Sequence, residues 1–196
     1  MRQILFAALA LVMTGCATGP LNETGTFLPP LHRQALDHAQ LCCASYKDIQ
    51  YEKLQRGVEI SAVISPSSPA FEFGGQKSFF AAYELPTGAN RFLVVTTVPV
   101  NMVWNPAGHV MVPSVQFVDS AYRSIEIILP HYETDSGWRG SWAEALVKVP
   151  NDAKYAILID TKDATGLSWR SSDRASRSLF VRNGPTGKIS IKTLGE

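Results

Sequence analysis

The sequence predicts an all-β fold, an antiparallel β-sandwich or jelly-roll-like arrangement, preceded by a short N-terminal helical segment. Three observations carry that expectation. From Gly57 onward, short runs of β-branched and aromatic residues recur; Gly, Pro and Asn turn signals separate them; and no long helical periodicity intervenes.

The chain opens with a different kind of segment. Met1 and Arg2 place one positive charge ahead of a continuous apolar run from Ile4 to Met13. A membrane-spanning helix needs about 20 apolar residues, so this shorter run has the size of a signal-peptide core. It ends in Met13-Thr14-Gly15-Cys16, which resembles the bacterial lipobox. The chemistry this implies is attachment of a diacylglycerol to Cys16, cleavage before it, and acylation (palmitate or a similar chain) of the new amino terminus. Two or more acyl chains together make a stable membrane anchor. The expected organisation is therefore a signal peptide over 1–15 and a flexible tether over 16–30, rich in Gly, Pro and Thr. Ala17 follows the lipidated cysteine where an aspartate would argue for retention in the inner membrane. The expected location is the bacterial cell envelope, on the outer membrane and facing the periplasm.

Residues 31–56 are expected to be a helical preface. Leu31, Ala35, Leu36, Ala39 and the pair Cys42 and Cys43 fall near helical spacing, Pro29-Pro30 suits a first turn, and a second short helix is expected around Lys47 to Gln55. With Cys16 acylated, Cys42 and Cys43 are the remaining sulfurs in an oxidising compartment. Three states are open to them: a pair of thiols buried against the sandwich, a strained vicinal disulfide ending the helix, or a bridge to another chain. Adjacent Cα atoms lie about 3.8 Å apart, below the usual range for a disulfide.

Residues 57–196 are expected to form the sandwich. The strands are "GVEISAVI", "KSFFAAYEL", "RFLVVTTVPV", "HVMVPSVQFVD", "SIEIIL", "EALVKV", "YAILIDT", "SLFVR" and "KISIKTL". The run Phe92-Leu93-Val94-Val95 is apolar on both faces, as a central strand is, whereas "KISIKTL" alternates and should have one wet face.

Charge excludes some partners. Removing Arg2 with the leader leaves 17 of the 18 basic residues against 17 acidic ones. A neutral chain with no basic run argues against nucleic acid and against electrostatic membrane binding. The hydrophobic share of 45 % is enough for one good core.

Catalytic patterns are sought and not met. There is no G-x-S-x-G elbow and no H-E-x-x-H helix. Of the four histidines, His32, His38, His109 and His131, the first two do not share a helical face as residues four apart would, and His109 opens a strand. Glu133, Asp135 and Glu144 flank a tryptophan-containing stretch and are read as solvated loop acids. No enzyme activity, no metal and no cofactor is expected. A binding role has more to work with. Trp138, Arg139 and Trp142 lie in "DSGWRGSWAE", expected as a polar loop, and Trp104 and Trp169 lie beside turns. Indole faces stack on sugar C–H faces, and Trp and Arg also favour protein interfaces. These five residues are the candidate ligand or partner contacts, the partner being an oligosaccharide or an envelope or transport protein. The segment Thr165 to Ser178, with Arg170, Arg174 and Arg177, is expected as a mobile loop.

Over residues 58–166 the order of elements resembles the maltose-operon periplasmic protein (MalM) family. The stretches that carry it are "GGQKSFFAAYELPTGANRFLVVTTV", "VMVPSVQFVDSAYR" and "VPNDAKYAILIDTKDATG". The resemblance implies an exported accessory protein linked to maltose and maltodextrin uptake, and it brings no catalytic residues with it. This chain differs from the best-known member in its lipobox, its cysteine pair and its shorter C-terminal end. The order Phe79 to Pro86, a hydrophobic strand, then "QFVDS" is also similar to small secreted β-sandwich modules that accompany carbohydrate-active or proteolytic enzymes. The leading expectation is a lipid-anchored, non-catalytic binding module of carbohydrate uptake. The alternative is a structural or assembly lipoprotein acting through protein contacts.

Overall fold

The computed structural model describes residues 28–88, 91–100, 108–137, 140–170 and 178–194. The leader, Cys16, most of the tether, Trp104, Trp138, Arg139, Arg174 and Arg177 lie outside the described residues. Within them the chain is mostly strand, in antiparallel-rich sheets, with one short α-helix.

The elements run in order as α1 (Leu28–His38), β1 (Glu52–Lys53), β2 (Glu59–Ile64), β3 (Ala70–Phe73), β4 (Gln76–Glu84), β5 (Phe92–Val98), β6 (His109–Val110), β7 (Pro113–Asp119), β8 (Ser124–Ile128), β9 (Glu133–Gly137), β10 (Gly140–Lys148), β11 (Ala153–Asp160), β12 (Gly166–Arg170), β13 (Ser178–Asn183) and β14 (Gly187–Leu194). Sheet I has the order β1-β4-β11-β7-β8, with β3 also on β4; sheet II has the order β2-β14-β5-β10-β9; a small sheet III has the order β12-β13-β6. The pairs β1–β4 and β13–β6 are parallel and the others antiparallel.

Sheets I and II close on one core. Phe79 and Tyr83 of β4, Val115 and Phe117 of β7, and Ala156 and Leu158 of β11 meet Leu93 and Val95 of β5, Ala143, Ala145 and Val147 of β10, and Ile189 and Ile191 of β14 in a single buried cluster. Alternation assigns these residues to one face of each strand. Phe73-Gly74-Gly75-Gln76 joins β3 to β4 by a two-residue turn with both glycines at positive φ, 58° and 81°. A side chain at either position would be strained, and this turn matches the twist of the flanking strands.

Sheet I is also covered on its other face. Phe71 and Phe73 of β3, Phe80 and Ala82 of β4, Val118 of β7, and Tyr155, Ile157 and Ile159 of β11 form a second buried cluster with Ile49. Cys43, Tyr46, Tyr51 and Tyr122 pack against it. The segment after α1 therefore acts as a lid on sheet I, and it is not the helix the sequence suggests. Helix α1 stops at His38; Tyr46–Asp48 is a single 3-10 turn, and β1 replaces the expected second helix. The physical reason is local pairing: Leu41 bridges Ala70 and the Cys42 N–H donates to the Ala70 carbonyl at 2.8 Å. Extending the edge of sheet I buries Ile49 over its aromatic face, a gain that helical spacing cannot offer.

Two further expectations change. Within "DSGWRGSWAE", Asp135 to Gly137 belong to β9 and Gly140 to Glu144 to β10, with Asp135 paired to Trp142 and Gly137 to Gly140, where a loop is expected. The expected loop from Thr165 to Ser178 contains β12 and reaches β13, which pair from Gly166–Arg182 to Arg170–Ser178. The arginines and serines of this segment hid a strand whose apolar residues, Leu167 and Trp169, pack against the core.

Candidate functional site

The polar residues converge at the end of the sandwich where α1 packs near β4 and reaches Thr186, just ahead of β14. An isolated helix as short as α1 is marginal in water, so its formation depends on docking. Leu36 is buried in the main core and supplies the apolar part of that contact. His32, four residues earlier, and Arg33, three residues earlier, flank Leu36 on the same face. Arg33 Nη1 donates to Asp160 Oδ2 at 2.9 Å, and His32 Nδ1 lies 2.6 Å from Thr186 Oγ1. Lys77 Nζ adds a bond to the Asp37 carbonyl at 3.0 Å.

Asp160, at the end of β11, is only 1 % exposed. Its other oxygen accepts from Asn183 Nδ2 at 2.5 Å, and its backbone N–H donates to Ser78 Oγ at 2.9 Å. Burial raises its carboxyl above the ordinary 3.8, while Arg33 and the Asn183 amide pull it back. Asn183 Oδ1 in turn accepts from the Val112 N–H at 2.8 Å, so one side chain ties β13 and the link between β6 and β7 to the carboxylate that holds α1. A buried charge of this kind must be paired.

Beside this ion pair lies a hollow of about 350 Å³, lined by His32, Ile64, Val100, His109, Thr186 and Lys188 among others. Its floor is a relay. Thr186 Oγ1 stands between His32 Nδ1 at 2.6 Å and His109 Nε2 at 3.4 Å, and the two imidazole rings meet edge to face at 5.8 Å. Thr186 and His109 are buried. A hydroxyl has one proton, so when Thr186 donates to one imidazole it accepts from the other. The two tautomers are thereby linked, and a ligand can meet His32 as donor or as acceptor. Burial lowers the His32 pKa below 6.5, which favours the neutral ring that such a relay needs. Gly187 completes the floor, since a Cβ there would stand 2.8 Å from the Met111 Cβ. Only a glycine lets β14 pass so close.

The residues expected to make contacts are dispersed. Trp169 is 2 % exposed, in the core, with Nε1 donating to the Trp142 carbonyl at 3.1 Å. It is a structural residue, not a ligand contact. Trp142 is half-buried on β10 and, by alternation with buried Ala143, faces away from the core on the outer side of sheet II. Trp104, Trp138 and Arg139 lie outside the described residues. His38 and His131 are exposed and take no part in the hollow. His32 and His109 do meet, although they are far apart in sequence and neither matches a spacing motif. The signal missed was the helical face shared by His32 and Leu36.

Cys42 and Cys43 are joined by a disulfide, with Cα atoms 3.7 Å apart. The bridge sits after α1, at the edge of the lid over sheet I, with Cys42 exposed and Cys43 packed against the second buried cluster. Tyr155, pushed up to about 12 chiefly by its bond to Tyr122, stacks on Tyr122 at 5.2 Å and lies 4.2 Å from Tyr51. Among the described residues no group of three or more His, Cys, Asp or Glu side chains could hold a metal ion, and no helix is long and apolar enough to cross a membrane.

Comparison with family models, with curated proteins and with solved structures finds no match to this chain. The resemblance to the maltose-operon family thus rests on its strand and turn pattern alone.

Proposed function

We propose that this chain is a lipid-anchored, non-catalytic binding module of the bacterial envelope that serves carbohydrate uptake, with maltodextrins as its ligand class. The observation that carries the binding role is the hollow of about 350 Å³ at the α1 end, with apolar walls and His32, Thr186 and Lys188 converging on it. Pockets of this size with a few placed polar groups are the usual form of small-molecule sites. The lipobox at Cys16 supports anchoring, and the disulfide between Cys42 and Cys43 is in keeping with an oxidising compartment outside the cytoplasm.

Titration calorimetry of the full chain carrying Cys16→Ser with maltose, maltotriose and longer maltodextrins tests the ligand class. Saturable heat is expected, and Thr186→Val should weaken it by roughly tenfold, the worth of one hydrogen bond. No heat with any of these sugars overturns the carbohydrate assignment. Anchoring is tested separately by palmitate labelling, which should be lost in Cys16→Ser.

A second reading is a structural or assembly lipoprotein acting through protein contacts. The observation that favours it is the exposed apolar side chains on the outer face of sheet II, among them Val98 and Leu146. Crosslinking in whole envelopes followed by pull-down would recover a transport component under the first reading and an assembly component under the second.

A further inference from the structure

The pair Cys42 and Cys43 takes no part in the hollow, and its surroundings suit both of its oxidation states. Cys42 is exposed, while Cys43 is half-buried against the second cluster over sheet I. The backbone on either side is held without help from the sulfur–sulfur bond. Ahead of it, Leu41 bridges Ala70 and the Cys42 N–H donates to the Ala70 carbonyl at 2.8 Å. Behind it, the chain enters the 3-10 turn Tyr46–Asp48, where the Ser45 N–H and hydroxyl both donate to Asp48 Oδ2 at 2.9 Å. The Tyr46 ring, 5.3 Å from that of Phe71, ties this turn to β3.

A bridge between neighbours closes the smallest loop a chain can make, so it withdraws little entropy from the unfolded state. Coupling is reciprocal: a bridge that adds little to the fold is in turn held only weakly by the fold. A disulfide closing a long loop is protected by the stability it confers, and this one is not. The reduced state also has a place ready for it. Cys43 Sγ lies 3.7 Å from the Asp48 carbonyl oxygen, within reach for a thiol to donate.

We propose that Cys42 and Cys43 form a redox-active site that exchanges electrons with an external dithiol. A thiolate of the dithiol attacks Cys42 Sγ, the exposed sulfur. A mixed disulfide forms as the Cys42–Cys43 bond breaks, and Cys43 leaves as a thiolate that takes up a proton beside the Asp48 carbonyl. The second thiol of the partner then attacks the partner's own sulfur in the mixed disulfide and releases Cys42, which is protonated in turn. The partner is oxidised by two electrons to its disulfide, and the cysteine pair gains those two electrons and two protons. Because Ala70 and the Tyr46–Asp48 turn keep the two residues in place, the reverse exchange closes the bridge again. Exposed disulfides are the labile ones, in contrast to buried structural bridges.

Dithiothreitol serves as the dithiol, acting on the folded full chain carrying Cys16→Ser in native buffer. Free thiols are counted by iodoacetamide labelling and mass spectrometry while circular dichroism follows the fold. Both thiols are expected to appear without unfolding, with the melting temperature lower by no more than about 4 °C, and oxidised glutathione should close the bridge again. Thiols that appear only in urea, a larger fall in melting temperature, or a pair that fails to reoxidise would mark a structural bridge and overturn the proposal. Single variants read the point of attack. The Cys42 thiol left in Cys43→Ser should form a mixed disulfide with oxidised glutathione at least roughly tenfold faster than the Cys43 thiol left in Cys42→Ser, since access governs such exchange. Equal rates, or a faster Cys43, would overturn the role of Cys42 as the attacked sulfur.

Discussion

Sheets I and II are built from similar strands and meet in one core, yet they differ in what their outer faces touch. In sheet I the outer residues of β4 and β11 are as buried as the inner ones, because the segment from Cys43 to Tyr51 closes over them. In sheet II several outer residues of β5, β10 and β14, among them Val98, Glu144, Leu146 and Lys188, remain open to solvent and carry charges of both signs. A strand covered on both faces reads as a continuous apolar run, as "YAILID" does, while one covered on a single face alternates. The difference shows where the fold is consolidated and where it remains available to a partner.

Paired truncations give the largest expected effect. Ile157→Ala, on the outer face of β11, should cost about 2–5 kcal/mol, the range for emptying a packed site. Leu146→Ala, on the outer face of β10, should stay within about 0.5 kcal/mol. Urea unfolding measures both, and equal effects would break the contrast between the sheets.

A smaller effect is expected at the latch of α1. Arg33→Gln removes the cation facing buried Asp160 and should cost on the order of 1–2 kcal/mol at neutral pH, less than a fully buried pair because Arg33 is partly exposed. The pH dependence has a fixed sign. Asp160 binds its proton more readily in the folded protein than in the unfolded chain. Stability therefore falls as pH rises from 3.8 through the folded value. Without Arg33 that fall should be steeper, and below it, with Asp160 protonated, the cost of the substitution should shrink. His32 acts oppositely: its lowered pKa makes stability rise with pH up to 6.5, and His32→Gln should flatten that rise. Melting curves across pH separate the two.

The smallest effect concerns the lid. Replacing Cys42 and Cys43 by serine should cost only about 1 kcal/mol, because a bridge between neighbours restricts very little of the unfolded chain. Iodoacetamide labelling with and without reductant checks the bridge itself.

Much of this fold is legible in particular residues. The Gly74-Gly75 pair marks the turn ahead of β4, although β3 on its other side is not among the expected strands, and the alternation of "KISIKTL" announces the one wetter face of β14. The errors are equally specific. Helical spacing at Cys42 and Cys43 was outweighed by pairing of Leu41 and Cys42 with Ala70. Polar neighbours around Trp142 and Trp169 suggested loops, but strands at a sheet edge carry polar residues on the face that no layer covers. The candidate site was the least legible part. His32, His109 and Thr186 are separated by 77 and 154 residues in the bonds they make, and no spacing motif joins them.

By itself, then, the sequence determined the strand character of the chain and many of its turns, because each depends on neighbours within a few residues. Only the tertiary structure decided that sheet I is covered twice, that Trp169 is core, and that α1 brings His32 to Thr186 and Arg33 to Asp160 of β11. A period of two says which residues share a face. What comes to cover that face depends on segments far away in the chain, whose docking is settled by burial and by the pairing of buried charge.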